Sequence, residues 1–413
     1  MLGCLLLVGC EADGPSNSQP ATPSLIPLEL PGLHLEAIDT REGLTWGAIV
    51  HDFDKDGVLD FLLNGHSQTR ADRVYYRRGD AFIPSDFIFP RSNDRHACAA
   101  ADVNLDGLSD VYCTEGAFKG TGEGHNQLFL GEPQGRFRLV TDDHGARDPT
   151  ARGRQVIFFH FNQDEFPDLY VTTWGDREDN ALNENSVFVN QAGHFRRESS
   201  PLTGEQGQRC LSARDINQDG RDDVLLCRPR SGGSLFLSRG KEEYERLLLP
   251  EPKLWWGDIT TGDINGDSRP DLLVLNGDGH LRVYYHSGDN TEPYQQLAFK
   301  RLVGHHGLGP AHTKLKRTTV DLAVADINGD GALDVYIARG APLSDPEPVI
   351  DTTDLLLLGP ELRQAVLIPA AQEGRAYQVY GLGDRFLVLN SGERWNGEVL
   401  VVSLGQTAIE VKH

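Results

Sequence analysis

DFDKDGVLD, residues 52–60, decides how this chain is read. The same nine-residue pattern returns at 102–110 (DVNLDGLSD), 160–168 (HFNQDEFPD), 215–223 (DINQDGRDD), 263–271 (DINGDSRPD) and 326–334 (DINGDGALD). Between the closing aspartates Asp60, Asp110, Asp168, Asp223, Asp271 and Asp334 the steps are 50, 58, 55, 48 and 63 residues. A period of that size marks a repeat architecture, in which one supersecondary unit is copied and stacked.

The repeated residues carry metal chemistry. A hard cation such as Ca²⁺ takes roughly six to eight oxygens, and carboxylates at positions 1, 3 and 5 of a tight loop can converge on it, with a position-7 carbonyl and a Gly at the bend. An EF-hand would add a Glu at position 12 and flanking helices; this chain has neither, and instead supplies Asp at position 9. The first copy is richest, with Asp52, Asp54, Asp56 and Asp60. The second (Asp102, Asn104, Asp106, Asp110), fourth (Asp215, Asn217, Asp219, Asp223) and sixth (Asp326, Asn328, Asp330, Asp334) keep the bend glycines Gly107, Gly220 and Gly331. The fifth (Asp263, Asn265, Asp267, Asp271) has Ser268 at the bend. The third keeps Asn162, Asp164 and Asp168 but opens on His160, a poor Ca²⁺ ligand, and bends at Glu165. The expectation is Ca²⁺ at about five loops, six if the third counts. A polar β-turn would use the same Asp, Asn and Gly residues, but it makes no demand for a carboxylate at position 9.

Each loop sits between two apolar runs: 48–50 and 61–63, 156–159 and 169–172, 322–324 and 335–337. That pattern is a hairpin whose turn is the acidic loop. Third and fourth runs follow in most units, at 73–76 and 81–83, 126–130 and 136–140, 186–189 and 194–197, 234–237 and 244–249. Four short strands per repeat predict a β-propeller. Beyond the sixth copy, Asp384 in GLGDRFLVLNSG parallels the run LDFLLNG without its upstream acids. It predicts a seventh, ion-free blade over about 370–413, with 399–402 and 408–411 as its outer strands. The run 33–38 also reads as an outermost strand, and a terminal strand that closes the ring removes an exposed edge. The expected fold is all-β: a seven-bladed β-propeller over 29–413, with four-stranded antiparallel blades and Ca-binding loops in the first hairpin of most blades.

These D-x-[DN]-x-D-G-x-x-D repeats resemble FG-GAP or VCBS repeats, the blades of integrin α-subunit heads and of many secreted bacterial proteins. GLTWGAIVHDFDKDGVLDFLLNG and NQLFLGEPQGRFRLV are most similar to the subgroup containing cartilage acidic protein-like sequences. The resemblance covers roughly 33–405. It implies a seven-bladed propeller with Ca²⁺ in each blade's first hairpin, and it implies no single function.

The 413 residues carry a formal net charge of −22. Much of that acidity sits at the loop positions, and no basic stripe invites nucleic acid. No run approaches the roughly 18 apolar residues of a membrane span. The start, MLGCLLLVGC, ends in a Leu7-Val8-Gly9-Cys10 stretch that looks like a bacterial lipobox, with Cys10 as the lipid anchor. Residues 1–10 are then signal-like and 11–28 a Pro- and Ser-rich tether, although no Lys or Arg precedes the apolar run as a signal peptide requires. Each remaining cysteine pair straddles one acidic loop: Cys98 and Cys113 around the second, Cys210 and Cys227 around the fourth. Facing strands predict disulfides Cys98–Cys113 and Cys210–Cys227, fitting an extracytoplasmic compartment. The two pairs differ by one residue in register, so they fall on opposite faces of their blades.

The acidic loops share one length, whereas insertions fall at 116–124, 141–152, 174–184, 304–317 and 338–353, connections that a four-stranded meander sends to the opposite rim. Variable loops on a rigid scaffold carry recognition. Candidates for a partner face are Trp174, Asp176, Arg177, His305, His306, His312 and Lys314, with Trp46, Trp255 and Trp256 at the channel mouth; solvated loop histidines and tryptophans packed between blades are the plainer reading. The leading function is a membrane-tethered, Ca²⁺-binding module for a protein or glycan partner. A carbohydrate-active enzyme such as a polysaccharide lyase, with Lys314, His312 or His305 as base, is the second reading. A structural subunit of an envelope complex is the third. No Ser-His-Asp arrangement, phosphate-binding Gly loop or Cys nucleophile motif is present.

Overall fold

A computed structural model describes residues 32–38, 45–65, 72–90, 95–116, 125–148, 153–173, 184–204, 210–228, 232–249, 256–276, 281–291, 293, 300–301, 321–338, 354–359, 362, 364–368, 375–391 and 399–404. The strands form seven four-stranded antiparallel sheets. Blade 1 runs Thr45–His51, Asp60–Gly65, Arg73–Arg78 and Ala81–Pro84, each strand paired with the next. Blades 2 to 6 repeat this order over 95–139, 153–198, 210–248, 256–301 and 321–368.

In blades 1 to 6 the second strand begins on the position-9 aspartate and continues as an apolar run, as in Asp60–Gly65 and Asp168–Thr173. The reason is that both its faces are covered. Phe61 and Leu63 pack on blade 7, while Leu62 between them packs on blade 2. Seven apolar clusters result, each shared by two adjacent blades, from Leu62 with Val111 to Phe61 with Leu387. Outermost strands lack that cover. In His194–Glu198 only Phe195 is buried, and charged residues on such edges discourage pairing with another chain.

Blade 7 is built from both ends of the described chain. Its strands Arg375–Gly381, Arg385–Ser391 and Val399–Leu404 are completed by Leu33–Ile38, paired from Leu33 opposite Leu404 to Ile38 opposite Val399. The N-terminal run therefore holds the outermost place that the sequence also offered to 408–411, a stretch outside the described residues. Joining the first described strand to the last blade removes a free edge and closes the ring.

Cys98 and Cys113 face one another across blade 2's first hairpin and are bonded. Cys227 is also disulfide-bonded, and Cys210 stands opposite it in register. Cys113 packs with Leu62 and Val74 of blade 1, but Cys227 packs with Ile259 and Val274 of blade 5. Cys113 and Cys227 thus stand on opposite faces of their blades, as the one-residue register difference predicts.

Candidate metal centre

The acidic loops build their shape from their own carboxylates. In the first loop Asp52 accepts the N–H groups of Asp56 (3.1 Å) and Gly57 (2.9 Å), and Asp56 accepts that of Val58 (2.9 Å). The same bonds recur on Asp102 and Asp106, Asp215 and Asp219, and Asp326 and Asp330. Positions 4 and 6 take left-handed backbone: Lys55 at φ 59° and Gly57 at φ 86°, for example. A Cβ on Gly57 would meet nothing within 4 Å, so Gly serves the backbone angle there rather than a close approach. Ser268 adopts φ 65° and donates its N–H to Asp263 at 2.7 Å, so the fifth loop keeps the shape without its glycine.

The first loop gathers ligand atoms. One oxygen each from Asp52, Asp54 and Asp60 lie within 4.8 Å of one another. A cation about 2.4 Å from each oxygen spans that gap, so the donor set, its charge and its spacing fit Ca²⁺. In the other complete loops Asn holds position 3 and its Nδ2 leans on the position-5 carboxylate, as from Asn104 to Asp106 (2.9 Å) and from Asn328 to Asp330 (3.0 Å). When bound, Ca²⁺ would supply the positive charge these loops lack, held by positions 1, 3, 5 and 9.

Position 9 has a second task. Asp60 is fully buried; one oxygen accepts the Phe53 N–H (3.0 Å) and the other the Arg77 N–H (2.7 Å) from the third strand. Asp110, Asp168, Asp223, Asp271 and Asp334 do the same with their own blades. The carboxylate that a simple turn would not need is thus a cross-strand staple as well as a candidate ligand. Burial pushes all six up to about 6, against the pull of those N–H groups.

A family model for the FG-GAP-like repeat matches residues 44–113, 160–226, 215–274 and 263–337. The chain belongs to this family. Among solved structures, the FG-GAP-like propeller superposes on BBS1N in complex with ARL6DN with a TM-score of 0.56 at 11% identity, over 93% of this chain and 99% of that one. It also superposes on the β-propeller domain of Cps50 (Swd1) from Myceliophteria thermophila, with a TM-score of 0.55 at 11% identity, over 90% and 100% of the two chains. At such identity the likeness is one of fold alone. No curated protein matches the chain.

The FG-GAP-like loops are not equal. In the third, His160 replaces the first carboxylate and Glu165 lacks the left-handed bend. The imidazole Nδ1 of His160 lies 3.1 Å from Asp222, next to the fourth loop's position 9, and the His160 N–H donates to the same oxygen at 2.8 Å. A side-chain hydrogen bond to Asp222 raises the His160 pKa, and the same bond lowers that of Asp222. This loop is tied to its neighbour by an ion pair where the others offer carboxylates. In blade 7 the second strand opens on Arg385, not on Asp384. Asp384 stands one residue earlier, gripped by Arg77 through two bonds of 2.7 and 2.8 Å. Burial pushes its carboxyl up, but Arg77 and Arg385 together hold it well below the usual range.

Sequence reasoning missed one loop residue. Arg78, at the end of blade 1's third strand, seats its guanidinium on Asp54 and, at 3.1 Å, on Asp56. Its only signal was its place 18 residues after Asp60. Of the proposed partner face, Trp46 lies in strand Thr45–His51 and Trp256 opens strand Trp256–Gly262. Trp174, Asp176, Arg177, Trp255, His305, His306, His312 and Lys314 lie outside the described residues, as does Cys10.

Proposed function

We propose that this FG-GAP-like propeller is a calcium-stabilised extracytoplasmic module, tethered to a membrane, that presents one rim to a protein or glycan partner. The observation that carries the calcium reading is the convergence of Asp52, Asp54 and Asp60 within 4.8 Å, in a loop conformation four other repeats share. The Cys98–Cys113 disulfide supports an oxidising compartment. The acidic loops occupy one rim, since every first hairpin turns the same way; Lys55 of the first loop, for instance, bonds Asp102 of the second at 3.2 Å. That arrangement leaves the opposite rim for recognition. The BBS1N structure holds a propeller in complex with another protein, the kind of service we assign here.

The test is calcium titration of metal-stripped protein by calorimetry, followed by a glycan array and crosslinking in calcium. Binding of about five ions with a rise in melting temperature supports the reading. Absence of both heat and stabilisation removes it.

A further inference from the structure

The first FG-GAP-like loop is the most acidic, with four carboxylates where the other complete loops have three and an Asn. It is also where an arginine reaches in from another strand. Arg78 Nη2 bonds Asp54, and its Nη1 bonds Asp56 (3.1 Å) and the Arg77 carbonyl (2.8 Å). The guanidinium lies 5.4 Å from the Tyr76 ring centre, a further resting place. Arginines also approach the fourth and fifth loops, but from position 7 within each loop: Arg221 to Asp219 at 2.6 Å and Arg269 to Asp267 at 3.5 Å. In the sixth, position 7 is Ala332, and among the described residues no cationic side chain pairs with Asp326 or Asp330.

Resting on the calcium reading above, we propose that Arg78 is a tethered cation that competes with calcium for Asp54 and Asp56 and thereby sets the affinity of the first site. A planar fork suits two carboxylates, as it does wherever an arginine stands for a diffusible cation. The Arg78 side chain is 49% exposed, so it has open water to swing into when an ion arrives. An exposed pair of this kind contributes little to folding. Its main effect falls on the ligand that wants the same oxygens. Without calcium, Arg78 relieves repulsion among Asp52, Asp54, Asp56 and Asp60; with calcium it is displaced.

The test is Arg78→Gln, measured by calcium titration with native mass spectrometry and by melting. Exposed pairs of this strength predict about fivefold tighter calcium binding at one site, and that gain vanishes in an Asp54→Ala background. The melting difference closes with calcium: the variant melts below the wild type without calcium and level with it in saturating calcium. A purely structural arginine would destabilise in both conditions, and that result, or unchanged affinity, overturns the proposal. Failure of the wild type to bind any calcium overturns the calcium reading itself.

Discussion

The first and third loops keep the same position-9 aspartate but differ at position 1. Asp60 and Asp168 are both fully buried, and each links its loop to its third strand through backbone N–H groups. Of the two, the first alone has Asp at position 1 and left-handed backbone at position 6. The third has His160 there, bonded to Asp222. The difference separates two jobs that the repeat pattern superimposes. Position 9 holds the blade together and persists in the third loop, where the position-1 carboxylate has gone. On the calcium reading, positions 1, 3 and 5 would serve the ion. Blade 7 completes the series, since it has lost both and opens its second strand on Arg385.

Calcium removal tests this division most strongly. Each occupied loop adds about 2.7 kcal/mol when calcium stands a hundredfold above its dissociation constant. With several loops filled, chelation lowers the melting temperature by the largest margin of any treatment here. Asp168→Ala comes next. It strands two buried N–H groups and costs about 3 kcal/mol, and urea unfolding should give the same loss with and without calcium. Asp60→Ala should match it in calcium-free buffer and exceed it in calcium. Equal losses at the two positions under both conditions would erase the distinction drawn between the loops.

Acidity provides a third measure. Burial lifts the six position-9 carboxyls from 3.8 to about 6, so the folded, calcium-free protein holds more protons than the unfolded chain between those values. Their contribution is therefore favourable at the acid end of that window and is lost as pH rises through about 6. Bound calcium keeps the carboxylates ionised, so in calcium the trend reverses and stability falls on acidification. Melts at about pH 4.5 and pH 7, in both buffers, check the crossing. The smallest effect belongs to the His160–Asp222 pair. The His160 pKa is raised and that of Asp222 lowered, so the pair stabilises above the unfolded aspartate value and below the unfolded histidine value. Both side chains are partly exposed, so His160→Ala costs under about 1 kcal/mol near pH 5.5 and less above pH 8.

Much of the fold was readable because its signals are local. Strand runs such as 61–63 and 335–337 fall inside observed strands Asp60–Gly65 and Asp334–Ala338, because a strand buried on both faces needs an unbroken apolar run. Cys98 and Cys113 could be paired because a hairpin with a fixed loop fixes its register. The site was legible only in part. Asp384 looks like Asp60 in sequence, but the chain at 382–385 makes a tight turn, Leu382 N–H to Arg385 carbonyl at 2.8 Å, that leaves it outside the strand.

By itself, then, the sequence determined the repeat, the turn chemistry of each loop and the number of blades, because these depend on residues a few positions apart. Tertiary structure alone decided which terminal strand closes the ring, that position 9 staples the third strand, and that Arg77 holds Asp384 across the seam between blades 7 and 1. Residues 77 and 384 lie 307 positions apart. Only a closed ring brings such a pair within hydrogen-bonding distance, and no local pattern encodes it.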